Sequence, residues 1–368
     1  MDPRIWNSLP EDILYRILSV ASLETLLILR STCKRFNSLF LSPAFLSSYK
    51  SSQPSPSFLC LSHPHFGRNR FAVYDTLRRR WRNRALPISA FLPRSLASST
   101  LLASSKGILC FSCPASPVSF LICNFLTKST RTVKFPNHPF PIESLNLVVP
   151  TSSSGDYKIF ALCPGISFRQ GFVYDSASRR WHQFDDITPN IKTNTRQEGV
   201  IHGDTLYFYT VEPYSIVGYD LEQRRWNRAL SVGELIGGGS RVSFVRLVGD
   251  AGEQKMYLIG GIATGYGTVS EVKVWELDDA GRKWVEQGNM PAEMCRKFAA
   301  VCYHNYQHLY CLWHGGMICL CCNTWPEVLW FDVAAREWGW LPKCPLLPEK
   351  GNFGFTWFSV VPDLNTLV

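Results

Sequence analysis

The sequence predicts a small all-α module followed by an all-β, six-bladed propeller. Apolar residues recur at helical spacing through the first 50 residues, whereas the rest of the chain repeats a strand–turn–strand phrase that ends at tryptophan. The phrase returns about every 50 residues, which is the period of a propeller blade. Aromatic residues make up 13% of the chain, which favours strands over helices. We therefore predict three parts: the helical module, a polar linker and the propeller, at residues 1–50, 51–57 and 58–368.

The helical module begins with a predicted capping box between Ser8 and Glu11, and Pro10 is expected in the first helical turn. Ser22 and Ser42 are placed to cap two later helices. The first helix carries one apolar stripe at helical spacing: Ile13, Leu14, Ile17 and Leu18. About forty residues is near the lower limit for a self-sufficient core. Composition alone leaves two interpretations open: the module packs as a small helical cap on the rest of the chain, or it docks on another protein.

The same module resembles an F-box. The matching segments are Leu9-Pro10-Glu11-Asp12-Ile13-Leu14, Cys33-Lys34-Arg35-Phe36 and Ser42-Pro43-Ala44-Phe45. F-boxes bind a Skp-family adaptor, which links them to a cullin scaffold in an SCF ubiquitin ligase. The resemblance implies that the Leu-Pro turn and the Cys-Lys-Arg-aromatic segment contact the adaptor through Leu9, Pro10, Ile13, Leu14, Cys33, Lys34 and Phe36. Phe36 stands where many members have Trp, so a large aromatic side chain is kept.

The repeated phrase is clearest where Val73-Tyr74-Asp75 leads to Arg79-Arg80-Trp81. An acidic residue or Asn at the end of a strand can accept hydrogen bonds from the amides of the following turn. The tryptophan is expected to fill the gap between neighbouring blades, because one blade has no core of its own. Later copies of the phrase end at Trp181, Trp226, Trp284 and Trp338. A degenerate copy, Ile122-Cys123-Asn124 to Lys128-Ser129-Thr130, lacks the tryptophan.

Tyr-rich strands that carry glycine pairs, at Gly260-Gly261 and Gly315-Gly316, make the repeats resemble kelch repeats. The strand predicted at 355–361 has no hairpin after it, and the first blade lacks an innermost strand. We expect this late strand to complete the first blade and remove an open edge. Residues 365–368 beyond it are expected to be dispensable.

In kelch propellers, targets usually dock on the face opposite the basic hairpin turns. The resemblance therefore implies a target surface on the loops at 63–69, 163–170, 212–214, 262–268 and 315–325. Large or charged residues in these loops are suited to binding hot spots. The candidates are Phe66, Phe168, Arg169, Tyr214, Tyr266 and Trp325.

The net charge of +9 comes largely from arginines in the hairpin turns. We interpret them as solvent-facing turn residues and expect neither nucleic acid nor membrane as a partner. The chain has 13 cysteines and no apolar segment after Met1, which indicates free thiols in the cytoplasm and/or the nucleus. The spacing of Cys110 and Cys113 and the group from Cys311 to Cys322 indicate buried thiols better than a metal site. We predict no catalytic residue, metal or cofactor.

The predicted function is that of a non-catalytic, substrate-recruiting subunit of an SCF ubiquitin ligase, with the target protein left unidentified. Two alternatives stay open. A kelch-type propeller could bind a small molecule or act as a metal-dependent enzyme, which would need a convergent His/Tyr or carboxylate cluster at its pore. A ligase-independent transcriptional co-regulator could use the basic turns near nucleic acid, with salt-dependent binding.

Overall fold

The computed structural model describes most of the chain. The described residues are 8–21, 23–49, 57–67, 70–83, 86–87, 99–113, 118–124, 126–127, 129–150, 156–165, 169–184, 197–210, 215–232, 241–250, 252–263, 268–278, 283–302, 306–348, 353–363, 366 and 368. The predicted cap Ser22 and most of the predicted linker lie outside these residues.

Four short helices form the N-terminal module: α1 (Glu11–Ser19), α2 (Leu23–Thr32), α3 (Lys34–Leu39) and α4 (Pro43–Ser48). Each helix is too short to be stable alone, so the module depends on a shared apolar core. The buried side chains of that core are Leu14, Leu18, Leu26, Leu29, Phe36, Leu39, Phe40 and Phe45. Phe40 and Phe45 pack with their ring centroids 5.2 Å apart.

The caps of this module differ in part from the prediction. Helix α1 begins at Glu11 with Pro10 as its N-cap, where no side chain accepts a capping hydrogen bond. The helix therefore starts two residues later than expected, with Pro10 and not Ser8 at the N-cap position, where its φ of −55° and ψ of 148° hold the chain extended immediately before the first turn. At α4 the prediction is confirmed, since the Ser42 hydroxyl accepts a hydrogen bond from the Phe45 amide at 3.2 Å.

Six antiparallel sheets form the propeller. Blade 1 contains β1 (Phe58–Ser62), β2 (Arg70–Asp75), β3 (Arg80–Trp81), β4 (Leu86–Pro87) and, as its innermost strand, β25 (Thr356–Val360). Blade 2 contains β5 (Thr100–Ser105), β6 (Ile108–Cys113), β7 (Ser119–Asn124) and β8 (Ser129–Lys134). Blade 3 contains β9 (Ser144–Val148), β10 (Lys158–Cys163), β11 (Gln170–Asp175) and β12 (Arg180–Phe184).

The second half of the ring repeats this order. Blade 4 contains β13 (Val200–His202), β14 (Thr205–Thr210), β15 (Ser215–Asp220) and β16 (Arg225–Ser231). Blade 5 contains β17 (Arg241–Asp250), β18 (Lys255–Ala263), β19 (Val269–Leu277) and β20 (Trp284–Asn289). Helix α5 (Ala292–Cys302) then precedes blade 6, which contains β21 (Leu309–His314), β22 (Met317–Cys322), β23 (Trp325–Asp332) and β24 (Glu337–Trp340). The predicted small helical module and six-bladed propeller are confirmed.

The acidic residue at the end of the third strand organises the turn that follows. Asp220 Oδ1 accepts from the Gln223 amide at 2.7 Å, and Asp75 Oδ1 accepts from the Arg78 amide at 3.0 Å. The last residue of these turns is an arginine in the left-handed region, with φ values of 49° to 57° at Arg79, Arg179, Arg224 and Arg336. The repeated phrase therefore encodes one turn geometry with an arginine at its end.

The repeat tryptophans pack between blades, as the sequence predicts. Trp81 is buried between blades 6 and 1, and its indole N–H donates to the Pro342 carbonyl at 2.7 Å. Trp181 packs between blades 2 and 3 and donates to the Lys134 carbonyl, also at 2.7 Å. In both cases the acceptor follows or ends the outer strand of the preceding blade. Each such tryptophan therefore joins two sheets that have no apolar partner within themselves.

The ring closes through its last strand. Strand β25 pairs antiparallel with β1 from Phe58↔Val360 to Ser62↔Thr356. His314 of blade 6 is buried at the same seam, where its ring bonds to the Thr76 hydroxyl and to the Ser359 hydroxyl. The expected completion of the first blade by the C-terminal segment is thus present.

The residues beyond β25 also have structural partners. Thr366 is buried, and its carbonyl accepts a hydrogen bond from Asn124 Nδ2 at 2.8 Å. Val368 packs against the core between blades 2 and 3. The expectation that residues 365–368 are dispensable therefore does not agree with the contacts of Thr366 and Val368.

The glycine pairs occupy different places in their blades. Gly260-Gly261 lies inside β18, whereas Gly315-Gly316 forms the turn between β21 and β22. Both residues of this turn have positive φ, at 55° and 87°, which glycine adopts without strain. The expectation that Gly315 and Gly316 lie opposite the hairpin turns is therefore wrong, because their turn joins the two innermost strands of blade 6 and emerges at the same end as those turns.

We expect Trp81→Ala to lower the free energy of unfolding by about 3–5 kcal/mol, because it leaves a large cavity between blades 6 and 1. Trp81→Phe keeps an aromatic ring but loses the hydrogen bond to Pro342 and part of the indole's volume, so it should cost less than the alanine variant, about 1–3 kcal/mol. Urea denaturation of the full chain measures both. Equal, small losses for the two variants would contradict the role assigned to the tryptophan.

Burial lowers the pKa of His314 to about 4. The unfolded histidine, with a pKa of about 6.5, binds a proton more readily. This residue's contribution to stability is therefore full above pH 6.5 and lost as the pH falls toward 4, by at most about 1.4 kcal/mol per pH unit. We expect His314→Gln to have a flatter stability profile than the wild type between pH 6.5 and 4.5, measured by urea denaturation. Parallel profiles would contradict this.

Candidate interaction surfaces

The blade topology gives the propeller two distinct ends. Turns between the first and second and between the third and fourth strands of a blade emerge at one end, called here the hairpin face. This face carries the turns 76–79, 176–179, 221–224 and 333–336. Connections between second and third strands, and between blades, emerge at the other end, called here the loop face. It includes the segments at 63–67, 290–302 and 323–324.

Several arginines of the hairpin face contact the preceding blade. The Arg224 guanidinium lies 3.1 Å from His182 Nδ1 on β12, and Arg336 donates to Gln287 Oε1 on β20 at 3.2 Å. Burial and, second, the charge of Arg224 lower the pKa of His182. Arg78 pairs with Asp75 at 3.1 Å. These contacts give the basic turns a structural role at the rim of the ring.

The helical module lies at the hairpin face. Leu126, in the turn between β7 and β8 of blade 2, is buried in the core of the module. Because the loop face is the other end of the ring, the module and the predicted target surface are on opposite sides of the propeller.

The residues predicted to contact an adaptor fall into two groups. Leu14 and Phe36 are buried in the module's own core, at 0% and 7% exposure, and Leu9 packs against that core. The other predicted residues are exposed: Pro10, Ile13, Cys33 and Lys34. The module therefore presents only part of the predicted set to a partner.

Helix α1 also exposes apolar residues that the sequence assigned to the core stripe or left out. Ile13 and Ile17 are 38% and 43% exposed and lie one turn apart, and Val20 follows at 65%. We call Ile13, Ile17 and Val20 the α1 stripe. The sequence contains a signal for this stripe. Ile13 and Ile17 each precede a buried leucine by one position, and one position turns the helix by about 100°, so the isoleucines and the leucines face different directions. Apolar side chains at this exposure on a short module are typical of a docking surface.

The predicted target residues that the structure describes all lie at the loop face. Phe66 is half-buried, with its ring centroid 6.1 Å from that of His63. Arg169 pairs with Glu143 at 2.9 Å. Trp325 is also half-buried, at the start of β23. Phe168, Tyr214 and Tyr266 lie outside the described residues.

Trp325 belongs to a larger aromatic surface, called here the Trp ledge, which consists of Trp325, Trp340, Lys297 and Glu327. The two indoles stack with centroids 5.5 Å apart, and Lys297 Nζ lies 4.1 Å from the centre of the Trp340 ring. Glu327 accepts from Lys297 at 2.9 Å. The repeat pattern missed Lys297 because helix α5 is not part of the repeat, and it missed Trp340 because that residue follows the repeat tryptophan Trp338 by two positions. Ordered, half-buried indoles of this kind are common anchors in protein interfaces.

A cavity of about 600 Å³ follows the axis of the ring and is lined by innermost strands from all blades. Gln197 crosses it from blade 4, because its side-chain amide donates to the Leu247 carbonyl at 2.9 Å and accepts from the Cys311 amide at 3.0 Å. Desolvation within the ring raises the pKa of the neighbouring Glu198 to about 7, although its side chain lines the cavity and is open to it. Sequence patterns carry no signal for Gln197, whose role depends on blades 5 and 6.

Most of the cysteine side chains are buried. All thirteen cysteines are free, and the described part of the chain holds no group of three or more His, Cys, Asp or Glu side chains placed to hold a metal ion. Burial raises the pKa of Cys60 and of Cys311 to about 12. The neighbouring Cys302 thiol lowers the pKa of Cys322, whose sulfur lies 3.1 Å from the Thr324 hydroxyl. Of the described helices, none is both long and apolar enough to span a membrane.

Comparison with known proteins agrees with this architecture. The F-box-like family model matches residues 6–47, which covers nearly all of the helical module. An F-box/kelch-repeat protein of Arabidopsis thaliana is 44% identical over 100% of this chain and 90% of its own length. F-box only protein 6 of the same plant is 29% identical over 94% of this chain and 71% of its own. SKP1-interacting partner 15, also from Arabidopsis thaliana, is 24% identical over 79% of this chain and 82% of that protein.

A helical F-box joined to a propeller of repeated blades defines the class of F-box proteins with a propeller domain. The chain belongs, within that class, to the F-box/kelch-repeat proteins of plants.

Proposed function

We propose that this protein recruits substrates to an SCF-type ubiquitin ligase. Its F-box binds a Skp-family adaptor, and through it a cullin scaffold, while the loop face of the propeller binds the protein to be ubiquitinated. The observation that carries the proposal is the α1 stripe, which stays exposed while Leu14 and Leu18 of the same helix are buried. A relative whose name describes it as a SKP1-interacting partner supports the choice of adaptor.

The energetic contribution of the α1 stripe is substantial. Burial of one large aliphatic side chain stabilises a complex by about 1.5–3 kcal/mol relative to leaving it exposed. Ile13 and Ile17 are 38% and 43% exposed, so burial of their remaining surface contributes about 1–2.5 kcal/mol in total. That free energy changes adaptor affinity by about one to two powers of ten. Pro10, Cys33 and Lys34 are exposed as well and extend the proposed contact beyond α1.

The chain itself supplies no chemistry for ubiquitin transfer in this proposal; it positions the target, and the partner subunits carry out the transfer. The F-box at the hairpin face and the target at the loop face leave both surfaces free for simultaneous binding. The buried, free thiols support residence in a reducing compartment, the cytoplasm and/or the nucleus.

We expect the double substitution Ile13→Glu/Ile17→Glu to reduce co-purification of a Skp-family adaptor at least about a hundredfold, because it places two charges in an apolar contact. Leu77→Glu is the matched control, since Leu77 is exposed at 64% on the hairpin face of the propeller. Both chains should show the wild-type melting temperature. Undiminished adaptor binding by the folded double variant would contradict the proposal. Leu14 and Phe36 are poor test positions, because their replacement would unfold the module.

Target recruitment is tested by affinity capture from plant cells in which the proteasome is inhibited. We expect the substitution Trp325→Ala to deplete the proteins that the full chain captures, because it removes an aromatic anchor from the Trp ledge, while adaptor capture stays unchanged. Arg179→Ala on the hairpin face serves as the control. Depletion by the control, with none by Trp325→Ala, would place the target on the other face.

A further inference from the structure

We infer that the blade 2 turn is an intramolecular dock for the F-box. In this arrangement Leu126 completes the F-box core, and the turn holds the F-box at a fixed orientation on the hairpin face of the propeller. The inference concerns a contact within the chain, so it stands whether or not the F-box binds a Skp-family adaptor.

The burial of Leu126 carries the first step. Its side chain is 1% exposed and is part of one apolar cluster with α1, α2, α3 and α4. The F-box residues of this cluster are Leu14, Leu18, Leu26, Leu29, Phe36, Leu39, Phe40 and Phe45. Among the described residues, Leu126 is the one buried member of the cluster that the propeller supplies. A module of about forty residues has little core to spare, so one additional leucine is a large fraction of it.

Comparison with the other blades shows that this burial is specific to blade 2. Leu126 lies two residues after Asn124, the last residue of its strand. Leu77 lies at the same position in blade 1, two residues after Asp75, and is 64% exposed. Ala177, Glu222 and Ala334 stand at that position in blades 3, 4 and 6. The turn position therefore does not bury a leucine by itself; the F-box does.

Asn124 fixes the conformation of this turn. Its Oδ1 accepts a hydrogen bond from the Leu126 amide at 2.9 Å. The aspartates of the other turns accept hydrogen bonds from turn amides in the same way. Its Nδ2 donates to the carbonyls of Asp363 and Thr366, at 2.9 and 2.8 Å. An aspartate has no N–H to donate, so it could form the first interaction but neither of the others. The change from Asp to Asn in the degenerate copy thus adds a link to the C-terminal segment.

The C-terminal segment in turn packs closely on blade 2. A Cβ at Gly107 would lie 2.6 Å from the Asp363 amide nitrogen, and Gly107 has φ +79°, so only glycine fits there. The F-box, the blade 2 turn and the segment that follows the closing strand therefore form one continuous contact. This explains why the blade 2 phrase departs from the others: its turn is suited to docking rather than to exposure to water.

Docking leaves the proposed adaptor surface available. Leu14 and Leu18 of α1 point into the shared core, whereas Ile13, Ile17 and Val20 remain exposed. The distance and angle between the α1 stripe and the loop face are then set by the fold, and a bound target is held at one position relative to the ligase.

The test is hydrogen exchange measured by mass spectrometry on the full chain, with Leu126→Asp compared with the matched control Leu77→Asp. We expect amides of α1 to α4 to exchange at least about thirtyfold faster in Leu126→Asp, because a charge replaces a core side chain. Amides of blades 3 to 5 should be unchanged, which shows that the ring is intact. Leu77→Asp should match the wild type throughout.

Small-angle scattering of the same proteins provides the second readout. We expect a larger radius of gyration for Leu126→Asp only, since the F-box then separates from the hairpin face. The inference would be overturned if Leu126→Asp showed the same exchange rates in α1 to α4 and the same radius of gyration as the wild type. If the two variants change exchange in α1 to α4 by the same factor, the contact has no specific role and the inference also fails.

Asn124→Asp covers the case in which Leu126→Asp does not yield folded protein. It keeps the acceptor for the Leu126 amide and removes both donors to the C-terminal segment. We expect about tenfold faster exchange at the Val361 and Asp363 amides and in α1 to α4, with the blade 3 to 5 amides unchanged. The reciprocal substitution Asp75→Asn in blade 1 is the control. Equal behaviour of Asn124→Asp and the wild type would show that the turn does not couple the tail to the F-box.

Discussion

Each blade of this propeller has two apolar faces, and a single sheet of four strands can bury neither of them. The ring is therefore stable only when every blade has a neighbour on both sides, and the pairing of β1 with β25 provides that condition for the first and last blades. The inter-blade tryptophans, the buried His314 and the central cavity all follow from this closed arrangement. The two faces of the ring, and so the separation of F-box and loop face, also depend on it.

The features that repeat along the chain could be predicted from the sequence. The Asp at the strand end and the Trp that follows are local signals with one physical role each, so they were sufficient to assign six blades and their hairpin turns. The F-box could be assigned because its short apolar segments occur in a fixed order. Closure by the C-terminal strand could be predicted from counting strands, since one blade lacked an innermost strand and one strand had no hairpin.

The features that could not be predicted depend on contacts between distant elements. Ile13 and Leu14 are neighbours in the sequence, yet one is exposed and the other is fully buried, because only the packing of all four helices decides which side of α1 faces inward. Gln197 crosses the axis to bond with blades 5 and 6, and no local pattern marks it. The turn at Gly315-Gly316 was assigned to the wrong face because a glycine pair defines a turn but does not say which strands it joins. Helix α1 starts after Pro10 and not after Ser8, because the fixed φ of proline keeps the chain extended there, which the capping-box pattern does not take into account.

The closing strand has a consequence for the order in which the protein can assemble during synthesis. The first blade strand, β1, leaves the ribosome early, whereas its inner partner β25 is the last blade strand to be made. At a typical elongation rate of about 5–20 residues per second, β1 waits for tens of seconds with an open edge. The F-box waits too, for a shorter time, until Leu126 has been translated. A nascent chain that stops before β25 can therefore expose an F-box but not a closed ring, which leaves it as a natural client for chaperones that shield strand edges.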